Sequence, residues 1–251
     1  MIGLIVGTSE GKELLKGLNK FTEDIFVSTA TNYGGELLKG YKYKLLNTKP
    51  LNKEELKNML EENEVRKLID ASHPYALEVS INAMEVANEL SIEYIRYERP
   101  SVIDKYSGHR LVNIISDYSE LKNSLSSIKG NILNTTGSRN IKKILDLKIE
   151  NRIIHRVLAS LKVMEELCNL GIEPEDIIAV KGVFSEEFNR AILREYKCEA
   201  IIMKDSGVEG GTVQKIEAAL KEQIKIVVIG RKQLEYNKVF DNINELIDYV
   251  S

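Results

Sequence analysis

The chain has no tryptophan, only two cysteines, four prolines and three histidines among 251 residues. Two cysteines, Cys168 and Cys198, cannot form a disulfide framework. Their spacing matches no metal-ligand pair, so both read as small buried hydrophobes in a reducing compartment. No zinc pattern, Walker loop, nucleophile elbow or redox cysteine pair occurs, which puts metal and covalent mechanisms low on the list. No uninterrupted apolar run approaches a membrane span, and Met1 leads straight into strand residues 4–6 without a charged and apolar leader. A cytoplasmic protein with no membrane association is the expectation. A net charge of -3 provides no basic face for nucleic acid, although it leaves room for a local basic pocket.

Strand-like and helix-like segments alternate almost throughout. Short apolar runs such as "LIV", "KLIDA", "CEAIIM" and "IKIVVIG" are separated by amphipathic stretches such as "NKEELKNMLEEN", which opens with Asn52 as an N-cap. Apolar rather than alternating strands indicate parallel sheets covered by helices on both faces. The strands are too many for one sheet at this length. The expectation is therefore an α/β protein of two doubly wound, Rossmann-like parallel-sheet domains with a cleft between them. The domains are set at residues 1–105 and 106–251, with the last helix able to pack back on the first domain, and 101–117 holds the undecided crossover.

In open parallel sheets ligands bind beyond the carboxyl ends of the strands, which directs attention to the turns there. The first, "GTSEG", lacks the middle glycine of a dinucleotide fingerprint. Gly7, Thr8, Ser9 and their amides suit an oxygen-rich ligand. Glu10 would repel a phosphate and fits a hydroxyl or a structural bond, and Ser9 is the expected helix cap. The second, "STATNYGG", offers Ser28 and Thr29 where a site for an unphosphorylated ribose normally has an acid. The third, "DASHPYA", carries His73, either a substrate donor or half of a local pair with Asp70; Ser72 or His73 would cap a helix with Pro74 in its first turn. The fourth, "NTTGSRN", repeats the hydroxyl-glycine chemistry with Thr136, Gly137 and Ser138 and adds the cation Arg139. The fifth, "KDSGVEGGT", places Lys204 and Asp205 at a strand end, followed by Ser206, Gly207, Gly210 and Gly211, with Thr212 as the expected cap. Lys181 adds another cation at this edge.

Taken in order, "GTSEGKEL", "VSTATNYGGELL", "DASHPYALEVSINA", "YIRYERP", "NTTGS" and "KDSGVEGG" resemble the precorrin-6A reductase family of cobalamin ring biosynthesis. Each stretch is weak alone, but the ordered set spans most of the chain. The resemblance implies a two-domain reductase that adds hydride from NADPH or NADH to the precorrin-6A macrocycle, or to its cobalt form. It also implies Lys204 and Asp205 as the catalytic pair. Gly7, Thr8, Ser9, Glu10, Ser28, Thr29, Thr136, Gly137 and Ser138 would then face the cofactor. His73, Arg139, Lys204, Asp205, Ser206, Gly207, Gly210 and Gly211 would face a corrinoid tetrapyrrole. The protein would need no metal of its own and act as a monomer or weak homodimer. A non-redox tetrapyrrole synthase or lyase of two-domain α/β fold is the competing reading.

Overall fold

The computed structural model describes residues 1–7, 10–232 and 234–251. It divides into two compact units, residues 1–100 with 232–251, and residues 101–231. Each holds one six-stranded sheet in which every pairing is parallel.

In the first unit the strands are β1 (Ile2–Val6), β2 (Ile25–Thr29), β3 (Leu45–Asn47), β4 (Lys67–Ala71), β5 (Glu93–Tyr97) and, from the far end of the chain, β12 (Val239–Phe240). Their order is β12-β5-β4-β1-β2-β3, the dinucleotide-fold order with its switch point between β1 and β4. The helices are α1 (Gly11–Leu18), α2 (Asn32–Glu36), α3 (Lys53–Glu62), α4 (Leu77–Glu89) and α10 (Ile243–Val250). Successive residues of β1 feed opposite cores. Leu4 and Val6 pack with α1 and α10, whereas Ile5 packs with Leu56, Leu60 and Val86 on the other face. That is why the strand is apolar at every position rather than at alternate ones. The C-terminal stretch joins this unit by pairing β12 with β5 and laying α10 on α1. Gly17 permits the close approach, since a Cβ there would stand 2.6 Å from Ile247 Cγ1.

The second unit contains β6 (Val112–Ile115), β7 (Asn131–Asn134), β8 (Ile153–Val157), β9 (Ile177–Ala179), β10 (Cys198–Lys204) and β11 (Lys225–Ile229). Helices α5 (Leu121–Ser124), α6 (Ile141–Asp146), α7 (Leu161–Asn169), α8 (Glu186–Glu195) and α9 (Thr212–Lys221) connect them. The order β6-β11-β10-β7-β8-β9 repeats that of the first unit. Here β7 and β10 flank the switch point, and the sixth strand comes from before the unit's first βα repeat instead of after its last. Both sixth strands, β6 and β12, are short and escape the apolar-run pattern.

Side-chain caps account for half of the described α-helix starts. Asn52 and Glu55 form a reciprocal capping box on α3, and Ser185 Oγ accepts from Phe188 N at 3.2 Å on α8. Three expectations are corrected. The helix after "DASHP" starts at Leu77 with no side-chain cap, because residues 73–76 close a turn in which Ala76 N donates to His73 O at 2.7 Å. The cap of α9 is Gly211, not Thr212, whose hydroxyl turns back to the preceding loop. Cys168 is exposed on α7 while Cys198 is buried, so only the latter is a core hydrophobe.

Candidate functional site

The first unit's switch point is built on tight backbone packing and closed ion pairs. Gly7 follows β1 so closely beside the turn after β4 that a Cβ would stand 3.2 Å from His73 N. Gly11 lies against Val6, 2.8 Å from its Cγ1 by the same measure, which lets α1 approach the strand. These are the first and last glycine roles of a nucleotide-binding turn. Thr8 and Ser9, with the cap expected from Ser9, lie outside the described residues. Glu10 occupies the N-cap position of α1 without a side-chain capping bond. Its carboxylate is 5 % exposed and faces Arg99, beyond the end of β5, at 2.7 Å for each of two contacts. Of the two partners the sequence left open, a structural bond is thus present.

Behind the same turn lies a buried polar cluster. Asp70, on β4 with no exposure, meets Arg96 Nη1 at 3.0 Å and accepts from Ser72 N, Ser80 Oγ and Tyr94 Oη at 2.6–2.8 Å. Burial first, then the Asp70 charge, pushes the Tyr94 hydroxyl far above its ordinary range, so it stays protonated as a donor. Asp70 is therefore committed to Arg96, not to His73. The half-buried His73 accepts from Tyr75 N through Nδ1 at 3.2 Å, which places its proton on Nε2. At the end of β2, Ser28 Oγ accepts from Asn47 Nδ2 at 3.1 Å and Thr29 Oγ1 donates to Thr31 O at 3.0 Å. Both residues are buried and brace the β2–β3 edge.

The second unit brings "NTTGS" and "KDSG" together across its own switch point. Thr135 joins the strands directly, its N and Oγ1 both donating to Ile202 O. Asn134 Oδ1 accepts from Thr136 N at 3.0 Å and Thr136 Oγ1 at 2.8 Å, while its amide nitrogen contacts His155 Nδ1 at 3.0 Å. Burial lowers the His155 imidazole to about 4, so it is a neutral prop for this turn. Gly137 then turns the chain at φ 84°, and Ser138 and Arg139 follow in a single 3-10 turn with Arg139 exposed.

The turn after β10 is held from below. Ser206 N donates to Thr212 Oγ1 at 3.0 Å, and Gly210 passes so near Ser206 that a Cβ would fall 2.5 Å from its carbonyl oxygen. Gly207 and Gly211 take positive φ of 72° and 67°, so the loop needs all three glycines. Asp205 has no exposure: Arg231 Nε sits 3.1 Å from its Oδ2, and Gly207 N donates to its Oδ1 at 3.3 Å. Lys204 ends the strand half-buried, and burial, then the charge of Arg139, pushes its ammonium down to about 8. Lys181, by contrast, lies exposed.

Two cations escaped the sequence reading. Arg156 of β8 donates to Asn189 Oδ1 at 2.7 Å, and burial lowers its guanidinium to about 10. Lys215 of α9 is 6 % exposed; burial and the charges of Arg156 and Lys204 bring it down to about 7, with Asp205 acting the other way. The signal for Lys215 was present: it occupies the helix stripe of Thr212, Ile216 and Ala219, where a core residue belongs. Thus the second switch point gathers Arg139, Lys204, Lys215 and Arg156 around hydroxyls and buried or half-buried glycine turns, an arrangement suited to an anionic ligand.

The chain is similar to known proteins along its whole length. The sequence model of the family described as Precorrin-6x reductase CbiJ/CobK matches residues 1–251. A cobalt-precorrin-6A reductase of Methanocaldococcus jannaschii is 35% identical over 250 residues, covering 99% of this chain and 97% of that one. Another, from Priestia megaterium, is 34% identical over 251 residues, covering 98% and 96%. Among solved structures, a precorrin-6A reductase superposes with a TM-score of 0.79 at 15% identity, covering 99% of this chain and 95% of that chain, which is a likeness of fold.

Proposed function

The chain belongs to the precorrin-6x reductase family, and we propose that it reduces the cobalt-containing precorrin-6A macrocycle with NADH or NADPH. It is an oxidoreductase of corrin-ring biosynthesis. The cobalt form is favoured because the relatives at 35% and 34% identity carry that name. The single observation behind the site assignment is the "KDSG" turn at the second unit's switch point, with buried Asp205 beside a lysine of lowered proton affinity.

A nicotinamide nucleotide fits the residues present. The first unit has the dinucleotide strand order, and Gly7 and Gly11 let the chain pass close to the turn after β4 and to Val6. We assign Gly7, Thr8, Ser9, Ser28, Thr29, Thr136, Gly137 and Ser138 to the cofactor side, with Glu10 positioning the first loop through Arg99. When bound, the nucleotide supplies the hydride.

The chain's own residues do the rest. Arg139 and Lys204 meet the negative charge of the polycarboxylate ring. Reduction of the conjugated ring builds negative charge that a proton must discharge. Lys204 Nζ, at about 8, holds a proton it can give up near neutral pH. Asp205 is fixed by Arg231 and the Gly207 amide, so it orients the turn. We also assign His73, which carries its proton on Nε2, and Ser206, Gly207, Gly210 and Gly211 to the substrate. No helix among the described residues is long and apolar enough to cross a membrane.

The test is anaerobic turnover of cobalt-precorrin-6A and metal-free precorrin-6A with each reduced nicotinamide, followed by nucleotide absorbance and the corrinoid spectrum. Oxidation of one nucleotide in step with corrinoid conversion is expected. No conversion in any of the pairings refutes the proposal.

A further inference from the structure

Lys215 is not explained by the reductase site as assigned so far. It lies on the buried face of α9 with Thr212, Ile216 and Ala219, one turn after the threonine that braces the "KDSG" loop. With 6 % exposure it is buried more deeply than Lys204, yet among the described residues no hydrogen-bond acceptor or ion-pair partner engages its ammonium. The charges acting on it are Arg156 from β8, and Lys204 and Asp205 at the end of β10. Two of these repel it. The carboxylate that attracts it is shared with Arg231.

A buried ammonium without its own anion is strongly unfavourable, and a methionine or leucine would fill this helix stripe without that cost. Packing therefore does not account for a lysine here, whereas an anion arriving from outside does. We propose that Lys215 is a second anchor for the substrate, taking a peripheral carboxylate of the corrinoid ring next to the one met by Lys204. The inference rests on the reductase reading. Its ligand class follows from its neighbours: Lys215 stands one helical turn after Thr212, which braces the loop assigned to the ring, and it feels the charge of Lys204, so a polycarboxylate can present two anions to the two ammoniums. The lowered proton affinity of Lys215 fits its burial among like charges, and a carboxylate beside it would raise that affinity again.

The experiment compares the full-length protein with Lys215→Met and Lys215→Arg. Lys215→Met should raise KM for the corrinoid about tenfold to hundredfold, the loss of one charge-assisted contact. It should leave kcat and the nicotinamide KM little changed, and its Tm should match or exceed that of the parent. Lys215→Arg should keep part of the affinity. An unchanged corrinoid KM, a rise confined to the nicotinamide KM, or a lowered Tm in Lys215→Met each overturns the anchor role. If the parent protein reduces no corrinoid, the reductase reading fails separately, and thermal shifts with tricarballylate decide the anion site. A larger shift for the parent than for Lys215→Met supports a carboxylate site there, and equal shifts refute it.

Discussion

The two switch points share a strand order and differ in how they hold charge. In the first unit the buried ions come as closed pairs, Asp70 with Arg96 and Glu10 with Arg99, each within 3.0 Å. In the second unit cations gather in excess around Asp205, and two of them are lysines shifted toward neutrality. A closed pair is a structural element: its charges are already satisfied, and it fixes the backbone around Gly7 and the turn after β4. A cluster of like charges is costly by itself and becomes favourable when an anion joins it. The difference separates a scaffold for a loop from a cluster of like charges.

Removing one member of a closed pair should produce the largest effect. Arg96→Met strands the Asp70 carboxylate in the core, and we expect a loss of about 3–5 kcal/mol in stability. Urea unfolding measures this, and a loss under about 1 kcal/mol would mean that the pair is not a structural clasp. The matching change in the second unit should act on rate. Lys204→Met should lower kcat about hundredfold or more, with Tm unchanged or raised. Circular dichroism melts beside turnover assays separate the two classes. A collapse of Tm in Lys204→Met would erase the contrast.

A third effect is on the pH dependence of stability. Lys204 and Lys215 titrate at about 8 and about 7 in the folded protein, below the ordinary lysine value of about 10.4 in the unfolded chain. The unfolded chain therefore binds more protons in that window. The lysines' penalty is fully present below about pH 7 and shrinks as pH rises toward the unfolded value. His155, at about 4, works in the same direction on the acid side: the unfolded chain takes up a proton below its ordinary value of about 6.5 that the folded state refuses until about 4. Unfolding free energies between about pH 5 and 9 should rise with pH, and Lys215→Met should flatten the upper part of that rise. A profile identical in both proteins would leave Lys215 without a buried charge.

Much of this was legible in the sequence. Apolar runs such as "KLIDA" and "CEAIIM" point to strands covered on both faces, and their alternation with amphipathic helices indicates parallel sheets. Turns rich in glycine and hydroxyls at strand ends marked both switch points, and their order marked the family. What escaped depends on distance along the chain. Strands β6 and β12 gain their identity by pairing with β11 and β5, so two to four residues carry no periodic signal of their own. Whether Glu10 would face a ligand or a partner turned on Arg99, far along the chain, and Asp70 found Arg96 instead of nearby His73. The sequence alone determined which residue types stand at the strand ends, because local propensity and hydrophobic period act over a few neighbours. Only the tertiary structure decided which of those charges are neutralised and which accumulate, because electrostatic energy depends on burial and on separations that chain order does not set.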